Sequence, residues 1–184
     1  MKYHFVTLAA LVALLSGCKT YDSVTDYISA SKPDRCPDAA ILATTSSLPA
    51  FASANGSDPS NVLYSIAMTD VTTRCIFDKE ENTADSQLNI KLRAVRPPGG
   101  AEVTYKVPFF VAVSAGGDIV AKRLYWARVE FAAGASAADA TTTVDSTIVT
   151  VASDKHVYDY HLLTGFQLTK AQLDYNNTTG RYEP

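Results

Sequence analysis

Histidine, cysteine and tryptophan are scarce in this 184-residue chain, at three, three and one. Of the histidines, His4 lies in the first few residues. His156 and His161 stand five apart on an expected strand, so they face opposite sides and cannot share a metal ion. Asp159 and His161 fall on one face, which reads as a polar strand surface and not as an acid–base pair. Ser153, Asp154 and His156 carry the letters of a triad, but crowded into one turn they cannot align as nucleophile, base and orienting group. There is no Gly-x-Ser-x-Gly elbow, phosphate loop, zinc motif or Cys-x-x-Cys pair. Asp78-Lys79-Glu80-Glu81 lacks the spaced oxygen ligands of a calcium loop and reads as a solvated turn. Arg96-Pro97-Pro98-Gly99-Gly100 likewise reads as a turn after a strand. No catalytic residue, metal ligand or cofactor is therefore expected, and the chain is read as a non-enzyme. Basic blocks are missing too, with 16 basic against 19 acidic residues, which argues against nucleic acid as a partner.

Long apolar runs are absent except at the start. Met1-Lys2-Tyr3-His4 is followed by the apolar stretch Phe5 to Leu15, too short to span a bilayer as a helix but suited to the core of a secretory signal. It ends in Leu15-Ser16-Gly17-Cys18. This resembles the lipobox of bacterial lipoproteins, an aliphatic residue and two small ones before cysteine. The resemblance implies cleavage after residue 17 and acylation of Cys18, including a palmitate-type chain. Acyl chains contribute about 0.8 kcal/mol per buried CH₂, so several of them make attachment effectively permanent. Lys19 occupies the position where aspartate retains many such proteins at the inner membrane, so the expected location is the outer membrane, facing the periplasm.

Lys2 is the only formal charge in residues 1–17, so the net charge of −3 becomes −4 once they are removed. Cys18 being used by the lipid, Cys36 and Cys75 remain, and in an oxidising compartment an isolated pair most simply forms a disulfide. Residues 18–37 are polar and irregular and read as the lipidated terminus and a tether, with room for a short helix near Val24 to Ala30. Residues 38–184 form the expected domain.

From there the dominant period is two. Leu88, Ile90, Leu92 and Ala94 alternate with Gln87, Asn89, Lys91 and Arg93, the pattern of a half-buried strand. Val62 to Met68 and Val71 to Phe77 alternate in opposite phase, so a bulge or a switch between sheets is expected near Asp70. Val103 to Val113 and Ile119 to Phe131 make the strongest hairpin signal, around Gly116-Gly117-Asp118. Pro108 predicts that the first of these strands lies at an edge or bends there. Arg123 breaks the alternation of the second. Residues 132–140 read as a loop, Thr142 to Val151 and Val157 to Leu168 as strands, and Ala39 to Phe51 as a strand or an irregular cover. About seven strands with little helix predict a two-sheet antiparallel sandwich of immunoglobulin-like or fibronectin-like type.

Thr169-Lys170-Ala171-Gln172 has the form of a capping box opening a short terminal helix, with Leu168 and Leu173 placed as a hydrophobic staple. Tyr125 and Trp126 are adjacent on a strand, so if Tyr125 packs inside, Trp126 is exposed, an anchor for a protein partner or a sugar. Val107-Pro108-Phe109-Phe110-Val111-Ala112-Val113 and Gly165-Phe166-Gln167-Leu168-Thr169, with Gln172-Leu173-Asp174-Tyr175-Asn176, resemble a group of Gram-negative envelope lipoproteins. That resemblance implies a location and a fold, and no functional residue. The expected function is a membrane-anchored accessory that contacts another envelope protein. The alternative is a module binding peptidoglycan or another glycan through Trp126.

Overall fold

The computed structural model describes residues 36–53 and 58–180. The leader, the lipobox, Cys18 and the tether as far as Arg35 lie outside the described residues, as does the helix expected near Val24 to Ala30. The described chain folds as a β-sandwich of eight strands: β1 (Asp38–Ile41), β2 (Ser47–Phe51), β3 (Val62–Asp78), β4 (Thr83–Val95), β5 (Val103–Ala115), β6 (Asp118–Phe131), β7 (Ala137–Thr150) and β8 (Tyr160–Phe166). One helix follows, α1 (Lys170–Thr179). The first sheet runs β1-β8-β5-β6 and the second β2-β3-β4-β7. All pairings are antiparallel except β1 with β8, which is parallel.

The alternating residues supply the core. Leu88, Ile90, Leu92 and Ala94 of β4 face Val107, Phe109, Val111 and Val113 of β5, with Ile66, Val129, Phe131, Leu162 and Phe166 completing it. The phase flip near Asp70 is a bulge between Met68 and Asp70 within one continuous β3, which stays in its sheet. Asp78 closes the next turn by accepting at Oδ1 from the N–H groups of Glu80 (2.8 Å) and Glu81 (3.1 Å). Gly116 (φ 62°) and Gly117 (φ 93°) form the two-residue turn from β5 to β6, where both positions need left-handed backbone.

Several expectations need correction. Residues 137–140 belong to β7 and not to a loop. His156 lies on no strand: it precedes a 3-10 turn, Val157–Asp159, and its N–H donates to Asp159 Oδ2 at 2.8 Å. Asp159 is thus engaged with His156, while His161 is an exposed residue of β8. Ala39 to Phe51 resolves into two strands in different sheets, joined by a 3-10 turn at Ala43–Thr45. Pro108 sits on an interior strand, at the point where its neighbour runs out. β8 pairs with Phe109 to Ala115 only, and the last contact is Gln167 N–H donating to the Pro108 carbonyl at 3.0 Å. The missing donor therefore falls beyond the ladder, where β5 is locally an edge.

The Cys36–Cys75 pair is a disulfide with Cα atoms 5.6 Å apart. Cys75 is on the inner side of β3, opposite Ser86, and Cys36 leads into β1 of the other sheet. The bond therefore ties the two layers together.

Candidate interaction surface

The sheet edges are finished differently. Backbone groups of an edge strand point alternately toward its neighbour and away from it. In β2 the Ser46 carbonyl accepts from Met68 N–H, which turns the Ser47 and Pro49 carbonyls outward. Helix α1 covers them. Asn176 Nδ2 donates to the Ser47 carbonyl (2.8 Å) and the Thr44 carbonyl (3.1 Å), and Gln172 Nε2 donates to the Pro49 carbonyl (2.7 Å). The periods match: four helical residues rise about 6 Å and two strand residues about 6.7 Å. Gln172 also completes the expected capping box, its Oε1 accepting from Thr169 N–H at 2.9 Å while Thr169 Oγ1 accepts from Gln172 N–H at 3.3 Å.

The edge formed by β6 has no such cover among the described residues. The Pro108 carbonyl points toward β8 and Pro108 pairs with Trp126. Alternation then aims the N–H and C=O groups of Lys122, Leu124, Trp126 and Arg128 at the free side, while a bulge at Val120 breaks the register beyond Ala121. Their side chains occupy the outer face. Tyr125 stacks inside on Phe109 with centroids 5.5 Å apart, so Trp126 is exposed, at 57%, beside Leu124 at 56% and Val120 at 58%. Pro108 of β5 lies opposite Trp126 and extends the apolar strip, while Phe110, opposite Leu124, is buried. Lys106 Nζ stands 5.1 Å from the Trp126 ring centroid and Lys122 Nζ 4.3 Å from that of Phe110; Lys122 also donates to Gln167 Oε1 at 3.1 Å. Gly165 makes room for this arrangement, because a Cβ there would lie 2.9 Å from Thr45 Cβ and 3.1 Å from Phe110 Cζ.

Arg123 now has an explanation. It pairs with Val111 and shares the core-facing side of β6, yet it is exposed because the sheets part at this corner. An opening of about 260 Å³ lies between β6 and β7, lined by Val111, Val113, Ala121, Arg123, Tyr125 and Thr147, among others. On the β7 side a bulge sets two residues, Asp145 and Ser146, against Gln87 alone. Next to it the buried hydroxyls of Thr147, Ser86 and Thr73 have no hydrogen-bond partner. Buried hydroxyls without a protein partner are uncommon.

Elsewhere, a groove of about 360 Å³ runs beside α1 past Tyr64, Pro97 and Tyr175. Tyr64 stacks on Tyr105 at 3.9 Å. Burial, followed by the Tyr105 phenol, pushes the Tyr64 hydroxyl above its ordinary range. Arg96 does more than the turn reading suggested. Its guanidinium donates to the carbonyls of Ala135, Ala101, Gly100 and Ala132 at 2.7–3.2 Å and lies 4.5 Å over Phe131. A composition signal for this role exists only in Gly100, whose Cβ would meet Arg96 Cζ at 2.8 Å. No cluster of three or more His, Cys, Asp or Glu side chains suited to a metal ion occurs among the described residues. No protein-family model, curated protein or solved structure matches the chain.

Proposed function

We propose that this chain is a lipid-anchored, non-enzymatic binding module of the cell envelope, acylated at Cys18, held on the outer membrane and facing the periplasm. It works by protein–protein contact through the outer face of β5 and β6. The leader and the Leu15-Ser16-Gly17-Cys18 sequence support the anchor. The observation that carries the binding role is the strip of Trp126, Leu124 and Pro108 along a sheet edge that is uncovered among the described residues. Contiguous exposed apolar surface of this kind marks interaction sites, whereas isolated exposed residues do not. Ile76 and Ile148 on the other sheet are exposed as well, but Asp85 separates them, paired with both. They are ordinary surface residues.

A photo-crosslinking amino acid placed at position 124 or 126 in living cells tests this reading, with position 87 on the opposite sheet as control. Discrete adducts at 124 and 126 and none at 87 are expected; equal or absent adducts at all three overturn it. Fatty-acid labelling should be lost in Cys18→Ala, and label retained there removes the anchor. The exposed ring of Trp126 supports a glycan as a second reading. It is the only tryptophan, so its fluorescence reports directly. A saturable change with peptidoglycan fragments would favour that reading. The apolar neighbours Leu124 and Pro108, and the lysine over the ring, favour the protein partner.

A further inference from the structure

We infer that the partner enters as a strand: an extended segment alternating apolar and acidic side chains adds to the free edge of β6 as the fifth strand of the β1-β8-β5-β6 sheet. This rests on the protein-contact reading above and names the chemistry of the partner. Four observations converge on it. First, Lys122, Leu124, Trp126 and Arg128 present their N–H and C=O groups to the open side in register, a template for main-chain pairing. Second, an added strand would send alternate side chains to two prepared places. One set reaches the opening floored by Val111 and Val113, and the other lies along Leu124 and Trp126. Third, both places are cationic. Arg123 stands at the opening and makes no ion pair among the described residues, while Lys106 and Lys122 flank the outer strip. Carboxylates of an incoming strand would meet a positive charge on either side, whereas a second β6 would bring the cations Lys122, Arg123 and Arg128 to an edge that already carries them. Charge thus selects an acidic segment over self-pairing. Fourth, the unpartnered hydroxyl of Thr147 lines the opening and offers a hydrogen bond to a polar group entering there.

The test uses hydrogen exchange on the full chain, read at the amides of Lys122, Leu124, Trp126 and Arg128. The probe is a short synthetic peptide alternating valine with glutamate, and its control is the same peptide with alternate amides N-methylated. In the free chain these four amides should exchange fast. The unmodified peptide should slow all four, the methylated one should not, and raised salt should weaken the effect. Leu124→Pro removes one edge donor without touching the ladder to β5; it should weaken binding by about tenfold or more, the loss of one to two net hydrogen bonds. Leu124→Ala should keep the protection. Binding without protection of these amides, no binding, or equal binding of the methylated peptide overturns the inference. So does protection already present in the free chain. If that protection rises with protein concentration a second copy occupies the edge, and if it does not, another part of the same chain does. Crosslinks at position 126 that survive in Leu124→Pro would leave the protein-contact reading standing while removing strand addition.

Discussion

Sandwiches have four edge strands, and here three are closed by different means while one is left open. β1 is only four residues long and follows a cysteine bonded to the other sheet. β7 presents Asp139, Thr141, Thr143 and Asp145 and carries a bulge, both features that blunt an edge. β2 holds a proline and is capped by α1. β6 is fourteen residues long, without proline, with a bulge only near its start at Val120, and it exposes Ile119, Val120, Leu124 and Trp126. On the strand-addition proposal, this least protected edge is the one that takes the partner. Along its middle the charges that guard it are cationic, Lys122, Arg123 and Arg128, and they discourage like-charged partners more than acidic ones.

That contrast can be broken from the closed side first. Replacing Cys36 and Cys75 together by alanine should cost about 4 kcal/mol, the loop-closure value for a separation of this size, seen as a lower urea midpoint. Asn176→Ala should cost about 3 kcal/mol, because it leaves the Ser47 and Thr44 carbonyls and the Ser47 hydroxyl without their partner. It should also make the β2 edge sticky, so concentration-dependent light scattering should rise in parallel. Thr169→Ala should cost about 1 kcal/mol through loss of the cap, again by urea unfolding. Leu124→Lys on the open edge should change stability by no more than about 0.5 kcal/mol, while abolishing any crosslink at position 126. A large stability loss there would mean that the β6 strip is structural, and the contrast between edges would disappear.

The hairpin β5–β6 and the strand β4 were legible because strict alternation reports which face a side chain takes. Alternation says nothing about whether a second sheet lies over that face. Arg123 was therefore unaccounted for: it has a core-facing position at a corner where no core exists. The same limit hid the exposure of Ala121, whereas Ile119 is turned to the outer face by the bulge at Val120. Pro108 misled in part because proline reports a missing hydrogen-bond partner at one residue, not the rank of a whole strand. β1 and β2 were ambiguous since each is short and gains its order from remote partners, β8 and β3. The capping box was readable from Thr169 and Gln172, but not its target. Only the fold brings Gln172 and Asn176 against a strand more than a hundred residues away. For the binding surface, Trp126 was marked by its neighbour Tyr125, whereas the free edge follows from strand order alone.

The parallel pairing of β1 with β8, together with α1 on β2, sets a schedule. If the chain is delivered end first, as in synthesis or passage through a membrane, its earliest strands wait for its last. Until residues 160–166 arrive, β1 has no neighbour, and until Gln172 and Asn176 arrive, the carbonyls of Ser47 and Pro49 stay open. The hairpins β3–β4 and β5–β6 can close while the remainder is still emerging, and the disulfide needs only Cys36 and Cys75. Long-range pairings of this kind form slowly, so the vulnerable interval is the one before the C-terminal helix docks. A chain truncated after Phe166 would keep its core residues and still carry two unguarded edges in place of one.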